Sequence, residues 1–534
     1  MKIKALSRSG EESTRSNSGD LKKISRNLDP AHKPLERARE YARAVVGAKI
    51  SKMFSKPFVA ALEGHVDGIS CSAASRGHLL PFVTGGMDGE VRLWDLATQK
   101  TVWNCKTAHT GWVRGICVSN TGTSFFSCGD DKTVKQWNLG VNNFGGRDEE
   151  KKKRRSTKKA AAKKDGKKTT EGGAKKKQRR RGDGDDGDDD DDDDSDEESE
   201  SESESEEEEE EEEDSKPSSR VPGYGNNTNL APTPKPSNSW LFPRTFKSID
   251  HHWRESQFAT ASDGSVEVWS YARSNPVQSF SLWGDDSVNV VRYNPAERSL
   301  LASCSSDRGV GIFDIRAATG LRKVVLTMRS NCLEWNPMEP MNFTVGNEDH
   351  NCYSFDMRKL DQPTCIHKGH VGAVLSLGWS STGREFVTGS YDRTVRIFGY
   401  RDGTSRDCYH TKRMQRVFAV NYTSDAKFVV SGSDDTNLRI WKARADEKLG
   451  QTLVREEKAM QYRNTLVKRF QHMPEVRKIV KSHRLPGFIK KQGQVKQVQK
   501  ESAAKKQDNR VKHSKKGAVN YEPERSKVVV QQDE

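Results

Sequence analysis

The stretch "SGSDDTNLRIW" (residues 431–441) decides the fold, because its pattern recurs seven times along the 534-residue chain. In each copy an aspartate stands six residues before a Trp or Phe, with small polar residues before it and an alternating run after it. The seven aspartates are Asp88, Asp131, Asp263, Asp307, Asp349, Asp392 and Asp435. They lie 43, 132, 44, 42, 43 and 43 residues apart, so a single repeat unit accounts for most of the chain.

Each repeat combines a tight turn with a strand. Asp, Ser and Asn favour turns because their short side chains bond to the nearby backbone. The alternation that follows is typical of a strand with one buried face. A period of 40–45 residues with this signature indicates a four-stranded propeller blade, and seven blades close a ring with protected edges. The sequence therefore predicts an all-β, seven-bladed propeller over residues 58–445, with "FVAALEGH" (58–65) as the outer strand of the last blade.

Three repeats also carry a histidine 22 or 23 residues before the aspartate: His65, His109 and His370. A Ser or Thr stands four residues before the aspartate in the same repeats, at Thr84, Ser127 and Thr388. This pattern resembles the His–Asp–Ser/Thr–Trp hydrogen-bond network of WD-repeat proteins, although Phe398 replaces the Trp in the sixth repeat. We interpret these histidines and the seven turn aspartates as structural; a metal or catalytic role is the weaker alternative.

The gap of 132 residues indicates an insertion between blades 2 and 3. Residues 147–181 hold 18 Lys/Arg and 5 acids, and residues 183–214 hold 25 Asp/Glu and no base. Such a segment lacks the apolar residues to build a core, so we predict a disordered basic and acidic insertion over 141–239.

Both halves of the insertion suggest a use. The clusters at 151–155 and 175–181 are of nuclear-localisation or nucleic-acid type; alternatively, they collapse onto the acidic tract. Phosphorylation would add negative charge to that tract, and its candidate sites among the acids are Ser195, Ser199, Ser201, Ser203 and Ser205.

Charge and cysteine content narrow the class of protein. The chain carries a formal charge of +14, and the part outside residues 147–214 carries +26, which indicates a polyanionic partner such as nucleic acid.

Nine scattered cysteines without a CxxC pair fit reduced intracellular thiols. The sequence shows no signal peptide and no apolar run of about 20 residues. We therefore expect a nuclear protein without a membrane span.

Two arms flank the predicted ring. The basic N-terminal arm, residues 1–57, is expected to enter a helix after Pro34, with Leu35, Ala38, Ala42, Val45 and Val46 on one face, and to lie along a partner or the ring edge. The C-terminal extension, residues 446–534, is expected to form a helix followed by an extended basic tail.

That tail is the candidate RNA or partner interface. Residues 468–516 carry 16 Lys/Arg and three acids, interleaved with Val, Ile and Phe. Phosphate contacts by such residues give affinity without base specificity; the alternative is a merely solvated tail. The candidates are Lys468, Arg469, Arg477, Lys478, Lys481, Arg484, Lys490, Lys491, Lys505, Lys506, Lys512, Lys515 and Lys516.

Long motifs outside the repeats carry a family resemblance. They include "KPFVAALEGHVDGIS" (56–70), "NPVQSFSLWGDDSVNVVRYNP" (275–295) and "FQHMPEVRKIVKSHRLP" (470–486). The chain resembles the WD-repeat family with a Sof-type C-terminal domain. That resemblance implies a nucleolar, non-catalytic scaffold of the small-subunit processome, associated with the box C/D small nucleolar ribonucleoprotein and with pre-rRNA. Two departures are the charged insertion and Gly487, where relatives usually carry Lys.

A second function remains open. "FDIR" (313–316) and "FDMR" (355–358) are similar to the WDxR boxes by which some WD-repeat substrate receptors dock on a cullin-RING ligase adaptor. Arg316 and Arg358 would present guanidinium groups from consecutive blades, but such an Arg is also common in a plain interblade ion pair, the interpretation that we favour. No motif indicates an enzyme, a cofactor or a metal, and "DHH" (250–252) is interpreted as structural.

Overall fold

The computed structural model describes residues 35–77, 81–139, 235–281, 286–317, 319–515, 517–519 and 523–533. The predicted seven-bladed propeller is confirmed: seven antiparallel sheets follow one another along the chain. Residues 1–34 and most of the predicted insertion, with Ser195, Ser199, Ser201, Ser203 and Ser205, lie outside the described residues, as does Lys516.

Each blade is an antiparallel meander from an inner strand to an outer strand. Blade 1 contains β2 (Ile69–Ala74), β3 (Phe82–Gly86), β4 (Val91–Asp95) and β5 (Lys100–Cys105). Blade 2 contains β6 (Val113–Val118), β7 (Ser124–Gly129), β8 (Thr133–Asn138) and β9 (Asn238–Leu241). Blade 3 contains β10 (Phe246–His251), β11 (Gln257–Ser262), β12 (Val266–Ser270) and β13 (Gln278–Phe280).

The remaining blades repeat this order. Blade 4 contains β14 (Val288–Tyr293), β15 (Leu300–Ser305), β16 (Gly309–Asp314) and β17 (Thr319–Leu326), and blade 5 contains β18 (Ser330–Trp335), β19 (Asn342–Asn347), β20 (Cys352–Asp356) and β21 (Cys365–His367). Blade 6 contains β22 (Val374–Trp379), β23 (Glu385–Ser390), β24 (Val395–Gly399) and β25 (Ser405–Tyr409). Blade 7 contains β26 (Val417–Tyr422), β27 (Phe428–Ser433), β28 (Leu438–Lys442) and β1 (Phe58–Leu62).

The ring is closed by β1, the first strand of the chain, which pairs with β28 in blade 7. Leu62 lies opposite Leu438 and Ala60 lies opposite Ile440. Leu62 is only 2% exposed, and it packs in one core cluster with Leu438 and with Trp94 of blade 1. Residues distant in sequence therefore clasp the ring non-covalently, as the sequence predicts.

The repeated aspartates set a left-handed turn in every blade. The residue after each aspartate has φ between 61° and 87°, whether or not it is glycine: Gly89, Lys132, Gly264, Arg308, His350, Arg393 and Thr436. In several blades an oxygen of the aspartate accepts the N–H two residues on, as at Thr133 (3.1 Å) and Thr394 (3.0 Å). This hydrogen bond supports a left-handed backbone conformation that residues other than glycine rarely adopt.

The aromatic residue six positions after each aspartate fills the space within and between blades. These seven side chains are at most 2% exposed: Trp94, Trp137, Trp269, Phe313, Phe355, Phe398 and Trp441. Contacts cross from blade to blade; for example, the ring of Trp441 stacks on Tyr409 of blade 6, with centroids 5.6 Å apart. Burial of large aromatic surface is the main stabilising contribution to such a core.

The described chain leaves blade 2 after β8 and returns as its outer strand, β9. Trp240 of β9 is 3% exposed and packs on Phe258 of blade 3. The predicted insertion extends to residue 239, but residues 238 and 239 belong to β9, so the insertion precedes the last strand of blade 2. Burial of Trp240 anchors β9 in the ring.

Among the described residues, four helices stand outside the ring: α1 (Glu36–Met53), α2 (Val454–Arg469), α3 (Pro474–Val480) and α4 (Gly487–His513). The expectation of an extended tail after the first C-terminal helix is wrong, because α3 and α4 occupy much of residues 474–513. Lys, Gln, Glu and Ala dominate α4 and are good helix formers. Proline at the first position of α3 favours helix initiation there.

The C-terminal segment returns to the ring as β29 (Val529–Asp533), a fifth strand on blade 4. It pairs with β17, where Val529 lies opposite Leu326. The preceding Val528 is 6% exposed and joins the core cluster that includes Leu326 and Tyr353. The outer edge of blade 4 is therefore covered by the chain itself, which removes an unpaired strand edge.

Candidate functional site

Blade 2 contains the complete polar network suggested by the repeat. Nδ1 of His109 lies 2.9 Å from Oδ2 of Asp131, and Nε2 lies 2.8 Å from the Ser127 hydroxyl. The indole N–H of Trp137 donates to the same hydroxyl at 3.0 Å. Burial alone would raise the pKa of Asp131, but hydrogen bonding and charge from His109 hold that pKa well below its usual value. The network links β7 and β8 to the loop before β6 and to the turn between β7 and β8, and it offers no open ligand position.

Blade 6 contains a variant of the network. His370 bonds Asp392 through Nδ1 (2.9 Å) and Thr388 through Nε2 (2.7 Å). Phe398 provides no N–H, so the Thr388 hydroxyl has the carbonyl of Arg396 as its other neighbour, at 3.3 Å. Burial lowers the pKa of His370, which favours the neutral ring.

Blade 1 departs from the expected network. His65 and Trp94 both bond Thr84, each at 2.7 Å. However, Asp88 bonds the backbone N–H of Glu90 (3.0 Å), and Oε2 of Glu90 lies 3.5 Å from Nδ1 of His65. The buried carboxylate beside His65 is therefore that of Glu90, whose side chain reaches the imidazole from the position just before β4, while Asp88 supports only the turn.

The group His65, Asp88 and Glu90 has the composition of a cation site. Its environment is unsuitable for a metal, because Nη2 of Arg92 already lies 2.9 Å from Oε1 of Glu90. Burial, followed by the nearby charge of Arg92, lowers the pKa of His65 to about 3. A guanidinium in this position supplies the positive charge that a metal would otherwise bring, so the group is structural.

The remaining aspartates also bond within their own blades. Asp263 accepts from Thr245 (2.8 Å), Asp307 pairs with Lys323 (2.8 Å), Asp349 accepts the N–H of Asn351 (2.9 Å), and Asp435 pairs with Arg439.

The "DHH" residues also serve the fold. Nδ1 of His252 accepts the backbone N–H groups of Arg254 (3.1 Å) and Glu255 (2.7 Å), and its Nε2 bonds the carbonyl of Arg298 (3.1 Å). The carboxylate of Asp250 accepts the N–H of Tyr293 at 2.8 Å. Both nitrogens of His252 are occupied by backbone groups, and none remains for a metal.

The two arms of the chain meet in a small helical cluster, formed by α1, α2 and α3. Its core contains Ala44 and Ala48 of α1, Leu466 of α2 and Val476 of α3, all at most 4% exposed. Glu40 of α1 pairs with Arg469 at 2.8 Å. The N-terminal arm therefore packs on the C-terminal extension, a partner that the sequence did not identify.

The apolar face predicted for α1 is partly wrong. Leu35 is 63% and Val46 is 52% exposed, whereas the buried positions are Ala44, Gly47 and Ala48. Small residues form the contact because the helices approach closely; the Cβ and Cγ of Arg463 lie within 3.7 Å of where a Cβ on Gly47 would stand.

The candidate RNA-binding residues are distributed over the helical cluster and α4. Lys468 and Arg469 end α2, Arg477 and Lys478 lie on α3, and Lys481 and Arg484 follow α3. Lys490, Lys491, Lys505, Lys506 and Lys512 lie on α4, and Lys515 follows it. All of these side chains are exposed. They form a basic surface in two parts, one around α2 and α3 and one along α4, in place of the single extended tail that the sequence predicts.

Among the described residues, helix α4 contacts the rest of the molecule through its first half. Ile489 is 2% exposed, and Nζ of Lys496 bonds the carbonyl of His370 at 3.3 Å. Every residue from 497 to 513 is exposed, and five of these residues are Lys or Arg. A helix that is polar on all sides gains little from burial within its own chain.

The two candidate docking arginines lie on neighbouring blades, in the turns after β16 and β20. Arg316 donates to Ser299 (2.9 Å) and Arg358 bonds its own Asp356 through two nitrogens (3.1 and 2.9 Å). Their side chains are 77% and 69% exposed. No interblade ion pair of either arginine is found among the described residues. Both guanidinium groups thus remain accessible to a partner while their own blades hold them.

The centre of the ring contains charged pairs that the sequence did not reveal. Arg76 lies 3.7 Å from Asp250, and Arg292 lies 3.9 Å from Glu334. A cavity of about 390 Å³ at one channel mouth is lined by Arg76, Arg292 and Glu334, together with Trp335 and Trp379. Burial raises the pKa of Glu334 even though Arg292 opposes the shift. The first pair joins blade 1 to blade 3 and the second joins blade 4 to blade 5 around the channel.

None of the helices in the described part of the chain is long and apolar enough to cross a membrane. All nine cysteines are free thiols.

Comparison with known proteins identifies the two parts of the molecule. A protein-family model described as "Sof1-like domain" matches residues 443–529. A second family model, described as "WD domain, G-beta repeat", matches residues 56–95, 100–138, 362–399 and 406–442. The first match covers the C-terminal helices, and the second covers four of the seven repeats.

Relatives align over nearly the whole chain. "DDB1- and CUL4-associated factor 13" is 39% identical in Danio rerio and 40% identical in Homo sapiens, with 99% of both chains covered in each case. "Protein SOF1" of Saccharomyces cerevisiae is 33% identical, covering 99% of this chain and 94% of that protein. The ring, the helical extension and these full-length similarities together show that the chain belongs to the Sof1-like family of WD-repeat proteins.

Proposed function

We propose that the chain is a non-catalytic scaffold of the small-subunit processome, located in the nucleolus and required for pre-rRNA processing. In this role the ring holds neighbouring assembly proteins, and the basic extension contacts pre-rRNA or the box C/D small nucleolar ribonucleoprotein. The proposal follows the family resemblance and the full-length similarity to Protein SOF1.

One observation carries the nucleic-acid part of the proposal: the outer half of α4, residues 497–513, is basic and exposed on all sides. A helix without a buried face is stabilised by a partner or by its own side-chain pairs. Only two acids, Glu501 and Asp508, stand in this half. Phosphate groups of RNA match its charge and would release counterions on binding.

The test neutralises this half of α4 without disturbing the fold. We expect Lys505→Gln, Lys506→Gln, Arg510→Gln and Lys512→Gln together to reduce RNA crosslinking and sedimentation with large precursor particles about tenfold, because several phosphate contacts are lost. The four side chains are exposed, so the melting temperature should not change. The control replaces four exposed basic residues of the ring: Lys100, Lys106, Arg254 and Lys427. Equal crosslinking and sedimentation for both quadruple variants would overturn the proposal.

Truncation after residue 445 is a less selective experiment. It removes α2 and α3, which cover α1, and it removes Val528 and β29 from blade 4. The closing pair of β1 and β28 would remain, because both strands precede the cut. A defect of the truncated chain would therefore combine loss of α4 with damage to blade 4.

A second function is supported by the exposure of Arg316 and Arg358 on consecutive blades. We propose that this surface docks on the adaptor of a cullin-RING ligase, making the chain a substrate receptor. The names of the vertebrate relatives state an association with DDB1 and CUL4. Guanidinium groups suit such a surface, because they offer several donors to acidic side chains of a partner.

We expect the double variant Arg316→Ala and Arg358→Ala to reduce capture by purified DDB1 about tenfold or more, the effect of losing a central arginine contact. The matched control is Arg254→Ala with Lys427→Ala, two exposed basic residues on other blades. Unchanged capture by the double variant would remove this second function and leave the scaffold role untouched.

A further inference from the structure

A basic hollow lies between the helical cluster and the outer strand of blade 6. It has a volume of about 540 Å³. Four chain segments line it, of which three carry polar groups: the last turns of α1 with Lys49 and Lys52, the end of β25 with Asp407 and the following His410, and the loop after α3 with His483 and Arg484. The fourth contributes Ala445. We call this hollow the basic groove.

The charges of the basic groove are poorly balanced. Lys52 lies 3.8 Å from Asp407, and Asp407 is the one acid in the lining. Asp407 also bonds Nε of Arg406 at 3.0 Å, so its charge is shared. Within the described part of the chain, Lys49 and Arg484 form no ion pair. The groove therefore carries uncompensated positive charge from two separate segments.

One of the two histidines adds a hydrogen-bond donor. Burial lowers the pKa of His410, and burial followed by the charge of Lys52 lowers that of His483. Both rings therefore favour the neutral form, which has a single N–H. The His483 ring interacts with the backbone of Ser405, so His410 supplies the donor that faces a ligand. This donor, flanked by lysine and arginine, forms a site that suits phosphate oxygens, which accept several hydrogen bonds at once.

The exposed surface beside the groove is also basic. Lys478 and Lys481 lie just before His483, and Lys490 and Lys491 begin the following helix. A polymer with a phosphate at every residue would contact both the groove and this surface, whereas a single phosphorylated side chain would use only one part. The volume is on the scale of a small-ligand pocket, so a phosphate and sugar of a flexible single strand can enter it.

We propose that the basic groove binds the sugar–phosphate backbone of single-stranded RNA. This site is separate from the outer half of α4, and it rests on the proposed function because it presumes an RNA-rich assembly. It assigns a role to α1, to blade 6 and to the loop after α3, which together build a site that none of them provides alone.

The test uses the full-length protein and a fluorescent single-stranded RNA of about 20 nucleotides, followed by anisotropy over a salt series. We expect Lys49→Ala, Lys52→Ala and Arg484→Ala together to weaken binding at least tenfold. The slope of log affinity against log salt should become shallower by about 2, since each lost contact to a single strand removes about 0.7. Lys100→Ala, Lys106→Ala and Lys427→Ala remove the same charge from the ring and should leave both quantities nearly unchanged.

A charge-preserving variant guards against misfolding: Lys49→Arg, Lys52→Arg and Arg484→Lys should retain the affinity of the parent protein. A groove variant with parental affinity and slope would overturn the site. Loss in the charge-preserving variant that matches loss in the alanine variant would also overturn it, since shape and not charge would then be responsible. Groove-dependent binding of a phosphoserine peptide, with RNA binding independent of the groove, would assign the site to a protein ligand instead.

The two proposals fail separately. If the α4 variants leave precursor particles while the groove variants bind RNA normally, the groove is excluded and the scaffold role stands. If the groove variants lose RNA while the α4 variants remain in the particles, the groove is the RNA site and the role of α4 is withdrawn.

Discussion

Replacing Leu62 with aspartate is expected to destabilise the folded ring by at least about 4 kcal/mol, because it places a charge in the core that joins the two ends of the propeller. Leu62 is the buried residue of β1, and it packs with Ile69, Trp94 and Leu438. An unpaired carboxylate there excludes β1 from its place beside β28. Chemical unfolding would report the loss of free energy, and size-exclusion chromatography would report an expanded or associated species.

The same strand provides the control. Ala61 precedes Leu62 and is exposed, and in the register of β1 it lies opposite Arg439. Ala61→Asp adds the same charge on the other face of the strand and should cost less than about 1 kcal/mol, as surface substitutions usually do. If both variants unfold at the same denaturant concentration as the parent protein, β1 does not close the ring.

Replacing Asp392 with alanine is expected to cost about 3 kcal/mol, the penalty for leaving buried hydrogen-bond donors without an acceptor. The Asp392 carboxylate accepts from the His370 ring (2.9 Å), from the backbone N–H of Val371 (3.0 Å) and from the backbone N–H of Thr394 (3.0 Å). Asp88→Ala is the matched control in blade 1, where Glu90 lies beside His65 and Asp88 supports only the turn. We expect a loss of about 1 kcal/mol there, the value of one hydrogen bond.

The effect of Asp392 depends on pH with a definite sign. Burial alone would raise the pKa of this carboxyl, but the hydrogen bonds from His370, Thr394 and Val371 hold the pKa well below its usual value. The unfolded chain has a pKa of about 3.9, so the stabilisation is complete above that value and declines as the pH falls below about 4. Urea unfolding of the parent and Asp392→Ala proteins should therefore show a constant gap from pH 7 to pH 5 and a smaller gap at pH 3. A constant gap throughout would contradict this assignment.

The repeated part of the fold follows from local chemistry. The turn aspartate, the left-handed residue after it and the buried aromatic six positions on are set within one repeat, so the pattern predicts seven blades. The closing strand is also predictable, because β1 supplies the outer strand that blade 7 lacks.

What the sequence does not predict depends on contacts between distant segments. Ala44 and Val476 meet in the helical cluster although more than 400 residues separate them, and Ala44 does not belong to the apolar face predicted for α1. Glu90, and not Asp88, lies beside His65, because the Glu90 side chain is longer and Arg92 holds its carboxylate there. The basic groove combines Lys52, His410 and His483 from three segments, and no local spacing indicates their proximity.

The pairing of Phe58 with Trp441 has a consequence for how the protein is made. Until residue 441 has left the ribosome, the strand at residues 58–62 has no partner, and blade 7 exposes an apolar edge. Contacts between residues so far apart carry a large loop-closure entropy and form late in folding. The newly synthesised molecule is therefore an open arc of blades, which is prone to aggregation until β1 pairs with β28.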